Sequence, residues 1–131
     1  MRILFLDDNE ERHRNFVMAN IGHRVDQVYK AAHAIRAMEM SDPYDVASLD
    51  HDLDEQSTMG LTPTELTGLD VVRAMVNPEG ALKDKLPRTV IVHSYNNAGA
   101  TNMVSLLRAW APSIRVVRFP FRPDMPITAL L

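Results

Sequence analysis

Two short apolar runs in this 131-residue chain stop abruptly in acids. Ile3-Leu4-Phe5-Leu6 runs into Asp7-Asp8, and Val46-Ala47-Ser48-Leu49 runs into Asp50-His51-Asp52-Leu53-Asp54. Apolar runs of this length read as buried strands whose C-terminal ends reach a solvent-facing rim, because carboxylates are not buried without cationic compensation. Two such strands separated by one helical unit would set Asp7, Asp8 and Asp50 side by side. That grouping suits a hard divalent cation held by oxygen ligands, Mg2+ or Mn2+, or a site of carboxylate chemistry. A third run, Thr89 to Val92, ends in His93-Ser94-Tyr95-Asn96-Asn97, the second concentration of polar chemistry.

Each of these groups also has a plainer reading. Asp7 and Asp8 can be a helix cap and a solvated turn, since acids are routine there. His51 alternates away from Asp50 and Asp52 along a strand, so it is either a structural histidine under a loop or a catalytic one. His93 follows Ile91-Val92 directly and can act as general acid or base, or ligate a metal. Ser94 and Asn96 can contact phosphate oxygens, with Gly99 permitting a close backbone approach, or form an ordinary loop and cap. Arg118 and Arg122 can neutralise phosphate with forked hydrogen bonds or be solvated rim charges. Arg12 reaches across the cleft or pairs with Asp8 or Glu11.

The elements that must position these residues alternate along the chain. Strands are expected at Arg2 to Leu6, Arg24 to Val28, about Val46 to Leu49, Thr89 to Val92 and Ile114 to Val117. Helices are expected up to about Ala19, from Ala31 to Met38, from Gly68 to before Asn77-Pro78, and from Ala98 to Trp110. Phe16, Val17, Met38, Met75, Met103 and Trp110 read as core residues, whereas Phe119-Pro120-Phe121 looks exposed. Glu55 to Thr67, with its glycine, threonines and Pro63, reads as a loop inserted over the acidic rim. Strand–helix alternation implies a doubly wound α/β domain: a five-stranded parallel sheet in a three-layer sandwich, with right-handed crossovers. Composition does not choose the strand order. The order 2-1-3-4-5 would make strands one, three and four neighbours and converge Asp7, Asp8, Asp50, Asp52, His93 and Ser94 on one edge.

Composition bounds the rest. With 46% hydrophobic and 24% charged residues, the chain suits one globular domain over 1–131. It has no cysteine, which excludes thiolate zinc sites, iron–sulfur clusters, thiol catalysis and disulfides. No apolar stretch approaches a bilayer span, so no membrane partner and a cytoplasmic location are the expectation. A net charge of -3 argues against broad non-specific DNA binding.

Over nearly its whole length the chain resembles the receiver domain of two-component response regulators. Asp7-Asp8 is similar to that family's acidic pair and Asp50 to its phosphate-accepting, metal-coordinating aspartate. Asp52 lies where the family lends a backbone carbonyl to magnesium, and His93 or Ser94 where it has a hydroxyl residue. Receivers carry lysine then proline after the fifth strand, whereas this chain has Arg118-Phe119-Pro120. Leu49-Asp50-His51-Asp52-Leu53 and His93-Ser94-Tyr95-Asn96-Asn97-Ala98-Gly99 instead resemble the divergent cyclic-phosphate processing receiver domain of bacteria and phages, as do Leu6-Asp7-Asp8, Arg12 and Phe16.

The leading expectation is therefore a metal-dependent phosphoesterase acting on a nucleotide or RNA-end phosphate, including a 2′,3′-cyclic phosphate. Asp7, Asp8, Asp50 and Asp52 would serve the metal, His93 with His51 would move protons, and Ser94, Asn96, Arg118 and Arg12 would hold phosphate; Asp50 is alternatively the nucleophile. The runner-up is a receiver signalling module phosphorylated on Asp50, with a protein partner. The third is a non-catalytic binder of a nucleotide or a protein.

Overall fold

The computed structural model describes residues 1–53 and 66–131. The strands are β1 (Arg2–Leu6), β2 (Arg24–Val28), β3 (Val46–Leu49), β4 (Thr89–Val92) and β5 (Arg115–Arg118). The helices are α1 (Glu10–Ala19), α2 (Ala31–Glu39), α3 (Gly68–Val76) and α4 (Asn97–Trp110), followed by a 3-10 turn at Ile127–Ala129. All strand pairs are parallel, in the order β2-β1-β3-β4-β5. The doubly wound architecture and the expected strand order are those observed. Most of the expected inserted loop falls outside the described residues.

Local sequence explains the helix ends. Asn9 caps α1 by accepting from the Arg12 amide at 3.0 Å. Thr67 and Asp70 form a capping box that starts α3, and Asn96 caps α4 by accepting from the Gly99 amide at 2.9 Å. At the exit of α1, Gly22 adopts φ +100, a conformation that glycine takes without steric cost.

The short central strands are apolar on both faces because both are covered. One face carries Leu4, Leu6, Ala47, Leu49, Val90 and Val92 against α2, α3 and α4. The other carries Ile3, Phe5, Val46 and Ile91 against Phe16 of α1 and against Phe121, Met125 and Ile127 of the segment after β5. That segment is irregular up to the 3-10 turn. It is tied down by Asn20, whose amide donates to the Phe16 and Met125 carbonyls and accepts from the Ile127 amide.

Two core expectations are overturned, and Val17, also expected in the core, is only half-buried. Phe121, expected to be exposed, is 4% exposed because the non-helical segment lays it on the sheet. Trp110, expected in the core by its spacing with Met103 and Leu107, is 67% exposed; it lies at the last turn of α4, beyond the sheet's cover.

Candidate metal and phosphate site

The register dictates the site. Leu6, Leu49 and Val92 are partners across three adjacent strands. The ladder continues one residue further, with the Asp50 amide on the Leu6 carbonyl and the His93 amide on the Leu49 carbonyl, both at 3.0 Å. Asp7, Asp50 and His93 therefore stand in one row at the C-terminal edge. Alternation sends their side chains to the face that carries Phe5 and Ile91, toward α1. Three residues from three distant parts of the chain become neighbours through backbone pairing alone.

All three side chains are buried. His93 Nε2 lies 2.9 Å from Asp7 Oδ2, and its Nδ1 lies 2.7 Å from the Ser48 hydroxyl. The ring stacks on Phe5, with centroids 4.9 Å apart and planes 7° apart. Burial lowers the imidazole's pKa, helped by the charges of Arg12 and His13 and opposed by the hydrogen bond and charge of Asp7, and the net lowering favours the neutral ring. A neutral ring satisfies both partners when Ser48 donates to Nδ1 and Nε2–H donates to Asp7.

Asp7 also accepts from the Asn9 amide at 2.9 Å, and Arg12 Nη1 lies 3.4 Å from its Oδ2. Burial raises its pKa, but the His93 hydrogen bond and proximity, the Asn9 amide and Arg12 together hold it below the ordinary carboxylate value. Asp50 behaves oppositely. Burial and the charge of Asp7 push it up to about 7, against the His51 amide, Arg12 and Ser94. Two neighbouring carboxylates thus titrate far apart, as crowded like charges must.

Asp50 Oδ1 accepts from the His51 amide at 2.8 Å, and its Oδ2 lies 3.7 Å from Arg12 Nη1. Arg12 thus reaches both acids. Its guanidinium also lies over the Tyr95 ring, 5.4 Å from the centroid.

Above this row opens a polar cleft of about 170 Å³, lined by Asp8, Arg12, Asp50, Asp52, Ser94 and Asn96 among others. Ser94 is buried, and its hydroxyl accepts from the Asn96 amide at 3.0 Å. Asp52 is exposed, and its Oδ1 lies 2.7 Å from His51 Nδ1 and 3.0 Å from Asn96 Nδ2. Burial raises its pKa, but the Asn96 and His51 hydrogen bonds together with the proximity of His51 hold it below the ordinary carboxylate value. The His51 ring packs on Gly99, where an added Cβ would lie 2.5 Å from the ring. Arg118 is exposed and donates to Asn97 Oδ1 at 2.6 Å.

The donor set fits a divalent cation. Asp7, Asp50 and His93 each offer one ligand atom, and these atoms lie within 4.8 Å of one another. Two carboxylate oxygens and an imidazole nitrogen could coordinate a divalent metal. The Asn9 and His51 amides already orient the carboxylates. Ser48 is placed to accept Nδ1–H, the outer contact that a metal-ligating histidine requires once Nε2 is deprotonated. Asp8 and Asp52 stand at the cleft wall, outside this cluster.

Three participants escaped the sequence reading. Ser48 was foreshadowed by its alternation with Asp50. His13, buried against the Asp7 carbonyl at 2.8 Å and stacked on Tyr29, shares the helix face of Phe16. Tyr95 gave no periodic signal, being a loop residue.

The comparisons with known proteins agree with this architecture. Residues 2–109 match the family described as the cyclic-phosphate processing receiver domain. No curated protein matches the chain in sequence. Among solved structures, a CheY-like response regulator receiver domain protein from Methanospirillum hungatei JF-1 is similar at TM-score 0.54 and 17% identity, over 93% of this chain and 83% of that one. A receiver domain protein from Clostridium thermocellum gives TM-score 0.59 and 18% identity over 95% and 86%. A response regulator from Burkholderia pseudomallei, solved with a phosphorylated aspartic acid, a calcium ion and citrate, gives 0.60 and 16% over 99% and 66%. At these identities the structures share the fold. The chain belongs to the cyclic-phosphate processing receiver domain family, built on the receiver fold with an Asp7-Asp50-His93 cluster able to hold a metal.

Proposed function

We propose that the cleft takes a phosphoryl group at Asp50 with the help of a divalent cation. One observation carries this reading: a carboxylate at the end of the central strand, beside a second carboxylate and an imidazole, faces a polar cleft by one oxygen while its other is held by the His51 amide. The receiver fold and the phosphorylated aspartic acid of the Burkholderia pseudomallei protein support it. Asp7, Asp50 and His93 would hold the cation, with Asp8 and Asp52 beside them. When bound, it would polarise phosphoryl oxygens and offset the negative charge gathered there. Asp50 Oδ2 would attack the phosphorus of a small phosphodonor as the bond from phosphorus to the donor's leaving group breaks and that group departs with the electron pair, and Arg12, Ser94 and Asn96 would hydrogen-bond the phosphoryl oxygens. Arg118, held by Asn97, is left for partner contacts at the sheet edge. Incubation with a small phosphodonor and Mg2+, read by intact mass, tests the assignment. One added phosphoryl group that Asp50→Asn abolishes is expected; no adduct under any metal condition would defeat it.

A second reading is turnover: a metal-dependent phosphoesterase acting on a nucleotide or RNA-end phosphate, including a cyclic phosphate. The contact of His51 with Asp52, buttressed by Asn96, favours it. An imidazole oriented by a carboxylate is the arrangement of a general base. His51 suits proton transfer better than His93, whose two nitrogens are both engaged and buried. A panel of cyclic and linear phosphoesters with Mg2+ or Mn2+ discriminates. Release of product that His51→Asn slows more than it weakens binding supports hydrolysis, whereas a lasting adduct without turnover supports signalling.

A further inference from the structure

A second cleft of about 240 Å³ adjoins the first and shares Asn9, Arg12 and Tyr95 with it. Its chemistry differs. Tyr95 and Phe121 supply aromatic wall, Pro123 an apolar edge, and Asn15 and Glu11 polar groups. Tyr95 is 58% exposed, so its ring is open to a ligand. Its hydroxyl donates to the Phe121 carbonyl, which fixes the ring without covering it. Arg12 serves both clefts, with Nη1 on the acids and its guanidinium carbon over the Tyr95 ring.

We propose that this side cleft is a nucleobase subsite, so that the ligand is a nucleoside phosphate whose phosphate lies at Asp50 and whose base lies against Tyr95. An aromatic ring beside a guanidinium is how proteins hold unpaired bases, because every base has a π-face and arginine adds a cation–π contribution. Asn15 and Glu11 supply the donors and acceptors that a base edge needs. The volume suits one ring system and not a drug-sized ligand. The shared wall at Arg12 sets the two subsites side by side, as base and phosphate are in one nucleotide. The inference rests on the reading that the first cleft takes phosphate, and it narrows the ligand from any phosphoester to one bearing a base.

Calorimetric titration of the whole chain with Mg2+ tests it, using adenosine 5′-monophosphate, its 3′ isomer and the 2′,3′-cyclic phosphate against ribose 5-phosphate, inorganic phosphate and adenosine. The best nucleotide is expected to bind about tenfold more tightly than ribose 5-phosphate, the range that one stacked base supplies. Tyr95→Ala should erase that gap and Tyr95→Phe should retain it; because Tyr95 also lines the first cleft, the readout is the ratio of nucleotide to ribose 5-phosphate affinity, not either affinity alone. Because Tyr95 is exposed, both variants should melt near the wild type; Asn15→Ala, which should narrow the gap, is the independent check. Equal affinity for the nucleotides and ribose 5-phosphate would overturn the subsite and leave the phosphate reading standing. So would a gap that survives Tyr95→Ala, which would put the base elsewhere. If inorganic phosphate and ribose 5-phosphate do not bind, the phosphate reading is the one in trouble. In that case adenosine binding lost in Tyr95→Ala supports the subsite, and no adenosine binding overturns it as well.

Discussion

His93 Nε2 meets Asp7 Oδ2 at 2.9 Å, joining the ends of β4 and β1 past the intervening β3, with neither side chain exposed. Such a contact is costly to break from one side, because the partner left behind is buried and charged. His93→Ala removes that hydrogen bond, the Ser48 contact and the Phe5 stack together. A loss of about 2–4 kcal/mol in chemical denaturation is expected. His93→Gln, which can still donate to Asp7, should recover part of it. An unchanged denaturation midpoint for His93→Ala would mean that the pair contributes nothing to the fold.

Asp50 gives the metal-free protein a pH signature. Its folded pKa, about 7, lies above the ordinary 3.8, so between these values the folded state holds a proton that the unfolded state releases. Stability from this group therefore falls as pH rises through that window and is flat outside it. The full displacement corresponds to about 4 kcal/mol at most. His93 acts oppositely: its lowered pKa means that the unfolded chain binds the extra proton below 6.5, so its contribution rises with pH up to there. The wild-type curve mixes the two. The difference between wild type and Asp50→Asn isolates the carboxylate, and the variant should gain relative stability from pH 4 to 7. A difference that does not change with pH would refute the raised pKa.

Divalent metal should reverse the penalty. Binding to the folded state alone raises stability by about 2.7 kcal/mol when free metal is a hundredfold above its dissociation constant. Mg2+ or Mn2+ should therefore raise the melting temperature of the wild type and barely move that of Asp50→Asn. The variant should melt at or above the metal-free wild type.

Arg12 competes with that ion, since it already offsets Asp7 and Asp50 at 3.4 and 3.7 Å. Arg12→Gln should lower metal-free stability by about 1 kcal/mol, a modest figure because the guanidinium is partly solvated. It should also tighten metal binding while weakening phosphate binding. Calorimetry showing metal affinity reduced along with phosphate affinity would exclude the competition.

Gly99 carries the His51 ring. An added Cβ would lie 2.5 Å from the ring, so Gly99→Ala must displace it from Asp52. The expected cost is about 1–3 kcal/mol, as for other overpacked sites. If His51 is the general base, phosphoester turnover should fall much more than ligand affinity. Equal losses would argue that the ring only packs.

Much of this was legible because one physical rule carried it. Apolar runs stopped by Asp7, Asp50 and His93 announce strand ends, and parallel register then aligns those ends without further information. The cation was harder to place. Arg118 looks apt after the fifth strand, but its side chain is taken by Asn97, while α1 delivers Arg12 to the acids. Helix rotation and packing decide that, and neither is written in local composition. Phe121 and Trp110 mislead for a related reason: spacing locates a helical face, but only the tertiary layers say where cover begins and ends. Tyr95 stands out only once two clefts are seen to share it.

The amide of Gly68 donates to the His51 carbonyl at 2.9 Å, and an added Cβ at Gly68 would lie 1.9 Å from the Asp50 carbonyl oxygen. The chain therefore returns, after whatever lies between, to the very residues it left. A clasp of this kind uncouples the intervening length from the geometry of the two ends. Lengthening a closed loop costs only about 0.6 kcal/mol per doubling, and nothing in the sheet has to move. Because the Gly68–His51 contact joins the two flanks directly, this junction is a natural place for an engineer to graft a new binding segment.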